Sequence, residues 1–159
     1  MLFVNYFLAS LISFSGLFIG LFLMRIAPEE KKQLEKYLLW LRLAAVFLVF
    51  AFMLFYYYDK KFNMLVLLGY LLFLILLEYF TKDIFRKSVV GYAVMGIIFY
   101  LGSFNQNLIF IVSFLILVYG IATASLLHRR NDNARIVIFY SSFLILANAL
   151  FLMARLMLV

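Results

Sequence analysis

A chain of 159 residues that is 69% hydrophobic and only 13% charged cannot cover a water-facing surface, since soluble domains carry about 45–50% apolar and about 25% charged residues. Its mean hydropathy of +1.13 makes lipid the solvent, and spans of about 20 residues each use up the length and leave no room for an extramembrane domain. The net charge of +7 and the absence of cysteine narrow the chemistry further: basic residues beside apolar runs meet headgroups rather than nucleic acid, and disulfides, thiolate catalysis and most transition-metal sites drop out.

Six apolar runs follow one another between polar interruptions, at about residues 2–26, 38–58, 64–80, 89–104, 108–127 and 136–158. The first carries Ser13, Gly16 and Gly20 on one helical face, with Gly16 and Gly20 in the small-xxx-small spacing that lets membrane helices approach closely. It has no basic start and no small-residue cleavage site before Arg25, so it is expected to stay in the mature protein. Pro28-Glu29-Glu30 then opens a second helix, where proline and acids suit a helix N-terminus. Lys31, Lys32 and Lys36 come next, and Tyr37 and Trp40 stand where aromatic rings settle at a membrane surface.

Arg42 lies little more than a turn inside the second run, and Glu78 near the end of the third, at similar depth. A pair between them would make a cytoplasmic gate or a headgroup site. The blander reading, which the sequence favours, is an arginine snorkelling to the surface and a glutamate solvated beside Lys82. The fourth run is short and could be re-entrant. Charge argues for a full span: six crossings put Arg25, Lys31, Lys32, Lys36, Arg42, Lys82, Arg86, Lys87, Arg129, Arg130 and Arg135 on one side, eleven of fourteen basic residues. By the positive-inside rule that side is cytoplasmic and both termini are outside. Tyr37, Trp40, Tyr79 and Tyr140 would form one aromatic belt; Tyr56, Tyr57, Tyr58, Tyr100 and Phe104 would form the other.

The fifth run repeats the small-residue spacing with Gly120 and Ala124, and the fourth holds Gly91 and Gly96; with Gly16 and Gly20 these are the expected helix-packing positions. Among the uncharged polar residues inside the spans, which include Asn5, Ser10, Ser15, Ser113 and Ser142, the candidates are Ser13, Tyr119, Thr123, Ser141 and Asn148. They suit either interhelical bonding, the default for such groups, or the lining of a permeation path. Arg42, Glu78, Lys87, Arg129 and Arg130 form a candidate cytoplasmic-face cluster for anionic lipid headgroups. His128 heads a polar turn and has no cysteine or carboxylate pair near it, which is poor material for a metal site.

No metalloprotease, nucleophile-elbow or phosphate-loop motif occurs. Seven acids and one histidine leave little for acid–base work or haem ligation, so no cofactor and no catalytic residue is assigned. The expected fold is an all-α integral membrane protein, one six-helix bundle with both termini outside, in a plasma membrane that the simple loops suggest is prokaryotic. Three functions fit it, in this order: a transporter- or channel-like protein with an uncharged polar path and self-association; a non-catalytic accessory subunit of a larger membrane complex; and a lipid-modifying enzyme using Glu78, Asp83 and His128.

Overall fold

The computed structural model describes residues 3–57, 61–81, 83–127 and 133–157. Every regular element among them is helical: α1 (Phe3–Ile26), a 3-10 turn (Pro28–Glu30), α2 (Lys31–Tyr56), α3 (Lys61–Phe80), α4 (Ile84–Gly102), α5 (Gln106–Leu127), α6 (Asn133–Tyr140) and α7 (Ser142–Met157). Helices α6 and α7 form one rod interrupted at Ser141, whose hydroxyl donates to the Ile138 carbonyl at 2.6 Å. Serine back-bonding of this kind is a recognised cause of a break or bend in a helix.

Five of these rods are long and apolar enough to cross a membrane: α1, α2 from Lys32, α4, α5, and α6–α7 together. The apolar part of α3, Met64–Phe80, is shorter. The expectation had placed the doubtful length elsewhere, in the fourth run. That helix instead starts at Ile84, because the Asp83 carboxylate accepts from the Phe85 amide at 3.0 Å and caps it a full turn earlier than the apolar residues indicate. At the other end of the hairpin, Asn105 caps α5 by accepting from the Asn107 and Leu108 amides at 3.0 and 3.3 Å.

Contacts between helices give their directions. Gly16 faces Leu117 and Gly20 faces Ile121, so α1 and α5 are parallel. Tyr92 lies on Tyr119 and Gly102 near Ile109, so α4 and α5 are antiparallel. Phe85 meets Tyr140 and Phe99 meets Phe143, so α4 runs with α6–α7. The Tyr57 hydroxyl donates to the Leu101 carbonyl at 2.6 Å, which joins the far ends of α2 and α4. The rods alternate up and down, and that alternation gathers Arg25, Arg42, Arg86, Lys87 and Arg135 at one end and Arg155 at the other.

Helix α5 is the centre of the bundle, packed by α1, α2 and α4, while α7 packs on α4 and α3 leans against α2 and α4 from outside. Its apolar window is 67% buried, against 28% for α2. The outer surface carries Phe22, Phe47, Phe55, Phe110, Phe114 and Ile145, each largely exposed. An apolar face this continuous needs lipid against it.

Two aromatic assignments change. Tyr140 is fully buried, stacked on Tyr92 with ring centroids 4.8 Å apart, and Tyr57 is buried with its hydroxyl bonded to α4. Neither belongs to a surface belt. A tyrosine near a helix end sits in the interface only when its helical face points outward, and both of these point at α4. Tyr37, Trp40 and Tyr79 do stand exposed at the basic end. Tyr58 lies outside the described residues.

Candidate functional site

The site is built on α2, α3 and α4 at the basic end. Arg42 does not reach for the surface. Its side chain is 4% exposed, and its Nη2 donates to Glu78 Oε2 at 2.8 Å. The other oxygen of Glu78 accepts from Lys87 Nζ, which is also nearly covered. One carboxylate on α3 is thus shared between a cation on α2 and a cation on α4. These are the main polar contacts that tie the outermost helix to the rest of the bundle. A buried cation left without a partner is costly, so the three residues are interdependent.

Above this ion cluster opens a cavity of about 540 Å³, within the about 300–1,000 Å³ range of small-molecule sites. Its walls follow helical spacing: Leu43, Val46 and Phe47 from α2, and Leu71, Leu74 and Ile75 from α3. Lys87, Gly91 and Tyr119 close it from α4 and α5. Phe47, Ile75 and Tyr79 are largely exposed at its rim, so it opens sideways, between α2 and α3, toward the lipid. Charge lies at one end of the cavity and hydrocarbon along the rest.

Behind the cavity a reciprocal glycine–tyrosine clasp joins α4 to α5. A Cβ at Gly91 would stand 2.6 Å from the Tyr119 hydroxyl, and one at Gly120 would stand 2.7 Å from the Tyr92 hydroxyl. Each helix offers the dipeptide in opposite order, Gly91-Tyr92 and Tyr119-Gly120, and antiparallel packing seats each ring over the other's glycine. Arg42, Thr123 and Glu78 are the electrostatic neighbours of the Tyr119 hydroxyl. Close by, Ser88 and Tyr140 stand within hydrogen-bonding reach of each other, as do Thr123 and Arg42 of Tyr119, although none of these pairs has the geometry of a well-formed bond, and Tyr92 OH is buried without a partner.

Of the five uncharged residues expected to line a path, Tyr119 alone lines this cavity. Ser13 and Ser141 bond to carbonyls of their own helices, and Thr123 is buried behind Tyr119. Asn148 bridges helices: its Nδ2 donates to Ser10 Oγ at 3.2 Å and to the Leu144 carbonyl at 2.8 Å. Asn148→Ala is therefore expected to cost about 0.6–1 kcal/mol, the worth of an interhelical polar bond in a membrane. Thermal unfolding in detergent checks this, with no change in binding at the α2–α3 cavity.

The packing glycines divide as well. Gly16 and Gly20 on α1 meet α5 at Leu117, Ile121 and Ala124, and Gly120 meets Leu17 from the other side. Gly91 and Gly96 do not share a seam. Gly91 faces Tyr119, whereas Gly96 faces the Phe143 carbonyl and Leu146 on α7, as a spacing of five residues on a helix requires.

Among the described residues no group of three or more His, Cys, Asp or Glu could hold a metal ion. Asp83 caps α4 and reaches Arg86 at 3.6 Å, while Glu78 is committed to Arg42 and Lys87. His128, Arg129 and Arg130 lie outside the described residues.

Tyr92 and Tyr140, with Ser88, pack behind the cavity wall formed by Gly91 and Tyr119, and this support was not foreseen. One signal was available, on α4 alone: Lys87 with Gly91, and Ser88 with Tyr92, stand at i,i+4 spacing on the inward side of that helix. Comparison with known protein families, with curated proteins and with solved structures finds no match for this chain.

Proposed function

We propose that this chain is a six-span membrane protein, its basic end facing the cytoplasm, that takes an amphiphilic ligand from the bilayer into the cavity between α2, α3, α4 and α5. It would bind or move that ligand rather than transform it. One observation carries the reading: a cavity open to lipid along apolar walls ends on a nearly covered cluster of two cations and one carboxylate. Small-molecule sites share this pattern, mostly apolar with a few polar groups that fix orientation. The uncharged path expected from Ser, Thr and Asn148 gives way here to a site that is apolar on its walls and charged at one end. Catalysis has little support, because one carboxylate held between two cations supplies neither an acid–base pair nor a nucleophile.

The test is photolabelling of the full chain in phosphatidylcholine nanodiscs with a neutral diazirine-bearing alkyl alcohol. Label is expected to concentrate on α2 and α3 around Val46, Phe47, Leu71 and Ile75. Leu74→Trp, which fills the cavity from α3, should remove most of that label and leave labelling at Phe110 and Phe114 unchanged. An even spread over all lipid-facing helices in both proteins would sink the reading.

Association with further copies or with another membrane subunit is a second proposal. Gly69 on α3 supports it, being exposed with nothing within 4 Å of where its Cβ would be. Small residues facing outward on a membrane helix are where a partner helix comes close. Native mass spectrometry of the detergent-extracted protein distinguishes a monomer from a homo-oligomer or a mixed complex.

A further inference from the structure

We infer that the head of the ligand carries a single negative charge and binds Arg42 beside Glu78, with its hydrocarbon chain lying between α2 and α3. The inference rests on the amphiphile-binding reading above and adds the chemistry of the head. Three observations lead to it.

The first is charge balance. Arg42 and Lys87 bring two positive charges to the cavity and Glu78 brings one negative, so one positive charge is left over in a place where both cations are nearly covered. Low-dielectric surroundings make an unbalanced charge expensive. A monoanion makes the cluster neutral; a neutral or cationic head does not.

The second is the geometry of the guanidinium. Nη2 belongs to both of the two-donor edges that arginine offers to an oxyanion. Glu78 meets it with one oxygen only, since its second oxygen is turned to Lys87. Nε and Nη1, the second donors of the two edges, meet no anion: both are covered, and the neutral Tyr119 hydroxyl is the other group within hydrogen-bonding reach of the guanidinium. An oxyanion head that moves the Tyr119 hydroxyl aside satisfies both donors of an edge with a compensating charge, whereas a hydroxyl brings one uncharged acceptor and an ammonium brings none.

The third is the shape of the approach. The charged end is reached along Leu43, Val46, Phe47, Leu71, Leu74 and Ile75. A small hydrated anion gains nothing from these walls, whereas an alkyl chain is at home on them. The head therefore arrives attached to a tail.

The test uses the full chain in phosphatidylcholine nanodiscs and measures equilibrium binding, corrected for partition into empty discs, of three probes. They are hexadecanesulfonate, which is ionised at every working pH, hexadecanol with the same tail and no charge, and methanesulfonate with the same head and no tail. Hexadecanesulfonate is expected to bind about tenfold or more tighter than hexadecanol, as a charge-assisted hydrogen bond provides, and methanesulfonate far more weakly than either. Arg42→Gln should bring hexadecanesulfonate down to the level of hexadecanol. Glu78→Gln, which raises the net charge of the site, should bind the sulfonate more tightly than wild type. Should Glu78→Gln, the more damaging of the two replacements, fail to fold, the wild-type probe series and Arg42→Gln still decide.

Equal binding of the sulfonate and the alcohol would overturn the head-charge inference and leave the amphiphile reading standing. No binding of either long-chain probe would overturn both. Methanesulfonate binding as tightly as hexadecanesulfonate would mean a site for a free anion, and would overturn the proposal as stated.

Discussion

Gly16→Ala, the addition of a single methyl group, is expected to destabilise the bundle by about 3 kcal/mol or more, at or above the upper end for overpacking. The new Cβ would fall on the carbonyl oxygen of Leu117, with the Leu117 carbonyl carbon and Cα close behind it. What it meets is helix backbone, which cannot swing aside as a side chain can. Relief requires α1 and α5 to separate along the whole seam. That motion would also part Gly120 from Leu17, where a Cβ would stand only 3.0 Å from the Leu17 nitrogen, and lengthen the bond from Ser125 Oγ to the Gly20 carbonyl. Since α5 is the centre on which α1, α2 and α4 all pack, the damage is not confined to one pair of helices.

Gly69→Ala provides the control, because it makes the same chemical change on α3 where nothing lies within 4 Å. In the monomeric protein it should be neutral or stabilising by up to about 1 kcal/mol, through better helix propensity alone. Thermal unfolding of both variants in one detergent gives the comparison. Equal effects would mean that the close approach of α1 to α5 contributes little.

That seam shows how far this sequence can be read. Six apolar runs were visible as runs, and the spacing of Gly16 with Gly20 and of Gly120 with Ala124 marked two faces for close packing. Spacing along one helix identifies a face but not its partner, and only the assembled bundle reveals that these two faces pack on each other. Asp83 had the signature of an N-cap ahead of α4, yet hydropathy alone started that helix five residues late, because Arg86, Lys87 and Ser88 interrupt the apolar pattern within its first turns. Tyr57 and Tyr140 were assigned to the membrane surface by depth, and depth carries no information on which way a ring points.

The ion cluster was legible as a coincidence of depth. Arg42 and Glu78 are far apart in sequence, and no local rule decides between an arginine that snorkels outward and one that is held within. The deciding factor is α4, which brings Lys87 to the second oxygen of Glu78. The glycine–tyrosine clasp was out of reach for a similar reason: Gly91-Tyr92 and Tyr119-Gly120 become complementary only when α4 and α5 are laid side by side in opposite directions.

Replacing Glu78 should therefore be far more damaging than replacing either of its partners. In Arg42→Met the carboxylate still has Lys87, and the buried guanidinium is gone. The expected cost is about 1 kcal/mol, of the order of one lost hydrogen bond. In Glu78→Leu both cations stay behind. Arg42, 4% exposed, has then lost its hydrogen-bonded anion, and Lys87, 11% exposed, has lost its own. Removing one member of a buried ion pair costs about 3–5 kcal/mol, and here one removal strands two charges, so the upper part of that range is expected. Lys87 is near enough to the helix end to turn toward water, but Arg42, a turn deeper against Tyr119, is not. Combining Glu78→Leu with Arg42→Met should recover about 1–2 kcal/mol of the loss, since the stranded arginine is gone while Lys87 still lacks its anion. The interaction energy of this double-mutant cycle, read from thermal unfolding of amphiphile-free protein, is expected to be about 2–3 kcal/mol. An additive cycle would show that Arg42 finds another partner when Glu78 is absent, and that the carboxylate on α3 is not what holds the guanidinium in the bundle.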